Sequence, residues 1–206
     1  MATQPLHPTR TAELDAPLHA VGFEIDVVSA DLVCGRLTVT ERCCQVMLLS
    51  SSSVPLCLDH EDGLRYVCMN GGGGGVGQPY KVLHGGVSAL IAEALASIGA
   101  LVACEFKRVA GVQLSINHHR SARLGDRVLA EATPVHVGKT IQVWEVKTWK
   151  TDEPKSGSEK GLLLSSSRVT ILVNMAVPDD SKDVAKTFKR HVAGKKYARL
   201  SVEINV

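Results

Sequence analysis

His84-Gly85-Gly86, Glu93 and Ser97 lie close enough in the chain to act together on one substrate. Glu93 is the sole carboxylate between Lys81 and Glu105, inside an apolar run from Val87 to Cys104. A charge on a buried helix is costly unless it is paired or used. At helical spacing Ser97 stands one turn on and Gly86 two turns back, both on the face of Glu93. The hydroxyl could therefore hydrogen-bond the carboxylate, and both face the glycine pair. Glycines at a helix start let another group approach the backbone closely. The first N–H groups of a helix have no internal partner, and with the helix dipole they favour negative charge. That suits the oxyanion formed when a thioester carbonyl is attacked. Taken singly, Gly-Gly is also a common tight turn and a buried Glu a common satisfied core group. The combination at this spacing favours chemistry.

Positioning these residues requires a helix, which the apolar run predicts from about Gly86 to Cys104, apolar all round and so buried on all sides. Before it, Gly22–Ala30 and Asp31–Thr40 read as strands around a Ser29-Ala30-Asp31 turn. The second alternates Val33, Gly35, Leu37 and Val39 with Cys34, Arg36, Thr38 and Thr40. After it, Ala110–Ala122, Arg127–His136, Thr140–Trp149 and Leu162–Met175 read as four more strands. Short turns at Leu124-Gly125-Asp126 and Gly138-Lys139 allow an antiparallel meander. A lone apolar helix must be wrapped, and a curved antiparallel sheet around it satisfies both elements. The expected class is α+β, a hotdog arrangement over residues 17–180, with a disordered tail over 1–16 and a basic helical tail over 181–206.

Composition narrows the function. The 206 residues carry a net charge of +2, too little for a nucleic-acid binder, and the base-reading motifs are absent. The six cysteines include no CxxC pair, so they read as reduced intracellular thiols rather than zinc ligands. The apolar run is near the length of a membrane span, but its central carboxylate would be costly in lipid. A buried helix is the better reading, and no membrane span is expected.

The run Lys81-Val82-Leu83-His84-Gly85-Gly86-Val87-Ser88-Ala89-Leu90-Ile91-Ala92-Glu93 resembles the HGG signature of hotdog thioesterases. With Gly111–His119 and Gly138–Val146 it is similar to the plant 1,4-dihydroxy-2-naphthoyl-CoA thioesterases of peroxisomal phylloquinone synthesis. The resemblance covers about residues 17–45 and 79–190. It implies that Glu93 is nucleophile or general base and that the Gly85 N–H polarises the thioester carbonyl. Gln78, His84 and Gly86 would hold the substrate, and Ser97 would orient Glu93 or the attacking water. Of the pair His118-His119, His118 is the one to reach the site, with an ordinary strand histidine as an equal reading. The resemblance implies no metal or cofactor, and an obligate dimer or a tetramer of dimers with shared sites. Seven residues of helix rise about 10 Å, so Gly86 and Glu93 of one chain are far apart for a single reacting carbon. Alternatives are a broader aromatic or medium-chain acyl-CoA thioesterase and a non-catalytic acyl-CoA binder. Lys139, Arg168 and Arg120 are candidate ligands for the coenzyme A phosphates.

Two departures from the family pattern stand out. The family runs directly from Cys-Cys-Gln to Pro-aromatic-Lys-Val-Leu-His-Gly-Gly, whereas here Val46–Gln78 adds 33 residues, including Ser50–Ser53 and Gly71–Gly75. Valine codons begin GT and one glutamine codon ends AG, the ends of an ordinary intron, so the expectation is a retained intron read in frame. A substrate lid is the alternative. The site glutamine would be Gln45 in a spliced form and is Gln78 here. Ala198-Arg199-Leu200 fits a peroxisomal address read only at a C-terminus, yet six residues follow it. Peroxisome is the family expectation, cytoplasm otherwise.

Overall fold

The computed structural model describes residues 10–44, 81–151, 160–177 and 182–192. Val46–Gln78 and Ala198-Arg199-Leu200 lie outside them. Two short helices, α1 (Arg10–Leu14) and α2 (Ala16–Ala20), precede strands β1 (Phe23–Val28) and β2 (Val33–Thr38). The long helix α3 (Gly85–Ala103) follows, then β3 (Arg108–His118), β4 (Arg127–Val137), β5 (Ile141–Thr151), β6 (Leu163–Met175) and helix α4 (Lys182–His191).

The six strands form one antiparallel sheet in the order β1-β2-β4-β5-β6-β3. The alternation read in β2 holds: Val33, Gly35 and Leu37 are buried while Arg36 and Thr38 are exposed. Helix α3 lies across the inner face, burying Ile91, Leu95, Ile98 and Val102 in one core with Val128, Trp144, Val146, Val169 and Ile171. Each such side chain contributes roughly 1.5–3 kcal/mol by leaving water. The helix approaches the sheet most closely over Trp144, where a Cβ on Gly99 would meet the indole at 2.5 Å. The Trp144 indole N–H is satisfied there by Gln142 Oε1 at 2.9 Å, with both residues buried. Helix α3 has the length and composition of a membrane span, and here it is packed on the sheet.

Three sequence expectations need correction. The strands after the helix do not form a four-strand meander: β4, β5 and β6 do, but β3 pairs with β6 at the far edge. The chain between β3 and β4 crosses beneath the start of α3. Leu83 N donates to Ala122 O, Arg123 bridges Val82, and Leu124 N donates to Lys81 O. Residues 10–16 are not a disordered tail: α1 buries Thr11 and Leu14, so the folded unit begins before residue 17. Helix α3 is not buried all round. Gly86 and Glu93 are exposed, and Leu90, Ser97 and Leu101 half-buried, along one outward stripe.

The chain that leaves the described region at Cys44 returns beside it. Cys44 bridges Leu83, His84 N donates to Cys43 O at 2.9 Å, and Lys81 pairs with Glu41 at 2.8 Å. At the other end of the chain, Phe188 of α4 is buried, and the Arg10 guanidinium donates to the His191 carbonyl. His191 Nε2 lies 2.8 Å from Glu13 Oε2, so the first and last helices are joined.

Candidate active site

The start of α3 is built by His84. It is the N-cap, and its Nδ1 accepts the Gly86 N–H at 2.9 Å. Its carbonyl accepts from Val87 N and Ser88 N. Of the four N–H groups that a helix start leaves unpaired, here those of residues 84–87, three are occupied: His84 by the Cys43 carbonyl, Gly86 by the His84 ring and Val87 by the His84 carbonyl. Among the described residues only that of Gly85 has no acceptor. The first turn of α3 carries no acidic residue, so the positive end of its dipole is uncompensated. The result is a single backbone donor in a positive field.

The His118 ring lies close over Gly85, so a side chain there would have to push the ring aside by a few tenths of an ångström. A Cβ there would stand 3.2 Å from His118 Nε2. The adjacent His119 points elsewhere, its Nε2 lying 2.9 Å from Ser166 Oγ on β6. The structure therefore separates the two histidines and puts His118 at the helix N-terminus.

Glu93 lies two turns along α3, on the exposed stripe rather than in the core. Its expected burial is overturned: the apolar periodicity of α3 extends over positions that nothing among the described residues covers. No hydrogen bond joins Glu93 to Ser97 among the described residues, so the expected pairing is not made, although both share the stripe. The carboxylate instead occupies space above β3. A Cβ on Gly111 would lie 2.5 Å from Glu93 Oε1. Gly111 is the site residue that sequence reasoning missed. An isolated glycine inside a strand run is a signal of such close approach, and that signal was available.

Eight residues of helix separate Gly85 from Glu93, about 12 Å. The structure thus brings His84, Gly85, Gly86 and His118 together at one end and leaves Glu93, Ser97 and Gly111 as a second cluster. Gln78 lies outside the described residues.

A family model described as Thioesterase superfamily matches residues 80–156, which span both clusters. The chain is 44% identical over 180 residues to 1,4-dihydroxy-2-naphthoyl-CoA thioesterase 2 of Arabidopsis thaliana, covering 87% of this chain and 93% of that one. It is 46% identical over 99 residues to the 1,4-dihydroxy-2-naphthoyl-CoA hydrolase of Listeria monocytogenes, covering 48% of this chain and 73% of that one. A solved thioesterase from Haemophilus influenzae superposes with a TM-score of 0.56 at 26% identity, over 86% of this chain and 96% of that one. With this fold, this helix start and these relatives, the chain belongs to the hotdog thioesterase superfamily and is a thioester hydrolase.

Proposed function

We propose that this enzyme hydrolyses 1,4-dihydroxy-2-naphthoyl-CoA to 1,4-dihydroxy-2-naphthoate and coenzyme A, the thioesterase step of phylloquinone synthesis. The name of the Arabidopsis relative supports the substrate. The observation that carries the chemistry is the helix donor left without an acceptor among the described residues, Gly85 N–H, under His118.

In this reading the thioester oxygen accepts from Gly85 N–H, and the dipole of α3 stabilises the charge that develops there. A carboxylate, Glu93, either attacks the carbonyl to form an anhydride that water opens, or takes a proton from the attacking water. Either way the C–S bond breaks and coenzyme A leaves as its thiol. Ser97 orients the water or the carboxylate, His84 and Gly86 shape the pocket, and Gln78 takes the family's glutamine position. Peroxisomal location remains part of this reading, and a tagged full chain that stays in the cytoplasm would argue against it.

The distance between the clusters supports a homodimer, alone or within a tetramer, with shared sites. Strand β3 is an edge strand with no described strand on its outer side. Its Gly111 marks Glu93 and its His118 marks Gly85. If two β3 strands pair antiparallel about a centre near Leu114–Ser115, Gly111 of one chain falls within a residue of the partner's His118. Glu93 then stands beside the partner's Gly85, and the 12 Å gap along α3 no longer matters.

The test is thiol release from dihydroxynaphthoyl-CoA, beside phenylacetyl-CoA and a medium-chain acyl-CoA. Strong preference for the naphthoyl ester is expected. Glu93→Ala should lower turnover by roughly 10³-fold without changing the fold. Equal rates on all three would replace the reading with a broad acyl-CoA thioesterase. No turnover by a folded dimer would leave a non-catalytic binder.

A further inference from the structure

Glu93 reaches its place without being tied to it. Among the described residues no hydrogen bond or ion pair holds its carboxylate. Its position is therefore set by what it touches, and on one side that is the backbone of β3 at Gly111.

The glycine there is not needed for conformational freedom. Among the described glycines only Gly22 and Gly125 have a positive φ, so alanine could adopt the backbone of Gly111. What the position supplies is space. A Cβ would stand 2.5 Å from Glu93 Oε1, whereas ordinary contact begins at 3.4 Å. On Gly35 or Gly138 a Cβ would meet backbone, and on Gly99 the packed Trp144 ring, so those glycines serve packing. At Gly111 the neighbour is the far end of a flexible side chain. The fold can absorb a methyl group there, and the carboxylate gives way.

Strand β3 is irregular beside this glycine. Gly111 pairs with Ile171 and Gln113 with Thr170, so Val112 is an extra residue with no counterpart on β6. Ile171 is buried in the core under α3, and Gly111, directly opposite, shares that face. A regular strand counted back from Gln113 would seat Val112 there and turn Gly111 to the other face. The bulge instead holds Val112 out in solvent and puts the glycine under the carboxylate. It also lets Gly111 and His118 face the same helix, although they are seven residues apart, an odd number.

We propose that Gly111, brought under α3 by the bulge at Val112, is a positioning residue that fixes where the Glu93 carboxylate stands. This rests on the thioesterase reading above and deepens it: the bulge sets the reach of the carboxylate toward the thioester carbon.

The experiment combines Gly111→Ala with Glu93→Asp and reads kcat, KM, melting temperature and mass. The added methyl displaces the carboxylate by about 1 Å, and a misplacement of that size should lower kcat about a hundredfold at unchanged KM. Melting temperature and mass should hold, since alanine suits a strand at least as well as glycine. Glu93→Asp shortens the side chain by one methylene and clears the methyl. Gly111→Ala should therefore cost Glu93→Asp chains no more than about threefold in kcat, a non-additivity that a merely structural glycine would not produce. Crystal structures of wild type and Gly111→Ala should show the carboxylate shifted over an unchanged backbone. The proposal falls if Gly111→Ala keeps wild-type kcat, or if its activity is lost together with melting temperature or mass. It falls too if the loss is the same with and without Glu93→Asp. A wild type that releases no thiol, with a carboxylate that still shifts in the Gly111→Ala crystal, would instead sink the hydrolase reading and leave the positioning standing.

Discussion

The two edges of the sheet are treated in opposite ways. Along β1 the outward backbone groups are taken by side chains of α1: Ile25 N–H donates to Thr11 Oγ1 at 2.8 Å, and Asp26 O accepts from Arg10 Nη1 at 2.7 Å. An edge capped in this way cannot accept another strand. Along β3 most residues are exposed, and Val112 is 64% accessible. That open edge runs beside the outward stripe of α3, which carries Glu93. Edge strands are ordinarily blunted because they invite pairing. Among the described residues, the edge far from the site is blunted and the one beside it is left open. In the dimer proposed above, a second copy is the neighbour that β3 and α3 do not find among the described residues.

The sharpest way to break this contrast is a charge on the open edge. Val112→Asp should be harmless to a lone chain yet prevent pairing, so light scattering should show monomers and thiol release should fall by about a hundredfold or more. Full activity in a monomer would show that one chain holds a complete site. Next is complementation. Gly85→Pro keeps the helix, because proline is tolerated at the first helical position, while deleting its N–H. Mixed with Glu93→Ala chains, it should restore about half of wild-type activity per mixed dimer, since one of two shared sites is intact. Silent mixed dimers would argue for sites within one chain.

Changes at the closed edge should be smaller and should not touch assembly. Thr11→Val leaves the Ile25 N–H buried without an acceptor, costing about 1–3 kcal/mol. The melting temperature should drop by several degrees at unchanged mass, and a shift to higher oligomers would mean that α1 also shields β1 from pairing. The smallest effect concerns the crossover that carries the chain from β3 back to β4. Burial works against the Asp126 charge, but the Arg123 N–H and Lys150 outweigh it and hold its carboxyl below the usual range. A depressed carboxyl stabilises the fold above its unfolded value and loses that contribution as pH falls through the folded one. Asp126→Asn should therefore be slightly less stable at neutral pH. The gap to wild type should close on acidification below about 4, near the ordinary value of 3.8. A gap independent of pH would mean that the ion pair contributes nothing.

The legible parts of this molecule were the local ones. His84, Gly85 and Glu93 could be read because helix spacing alone relates them, and β2 because its alternation is strict. The position of β3 was hidden, since its pairing with β6 depends on a crossover under α3 that no turn signal records. The exposure of Glu93 was hidden for a different reason. Periodicity shows that a face is apolar, not whether the surface covering it belongs to the same chain. Helix α1 was missed because five residues near two prolines form a helix only where Thr11 and Arg10 have β1 to bind.

The bridge between Cys44 and Leu83 bears on how this chain tolerates its extra length. The fold is fastened on both sides of the segment, and 38 residues separate the fastened positions; without Val46–Gln78 there would be five. If the segment adds only contour, the logarithmic growth of closure entropy makes the longer loop cost about 2 kcal/mol more than the shorter one. A stable domain survives a penalty of that size. On that condition, sequence retained or acquired at this point leaves the fold standing, and selection acts on catalysis rather than on folding. The rim of the active site is for that reason a place in this architecture where added sequence costs the fold little.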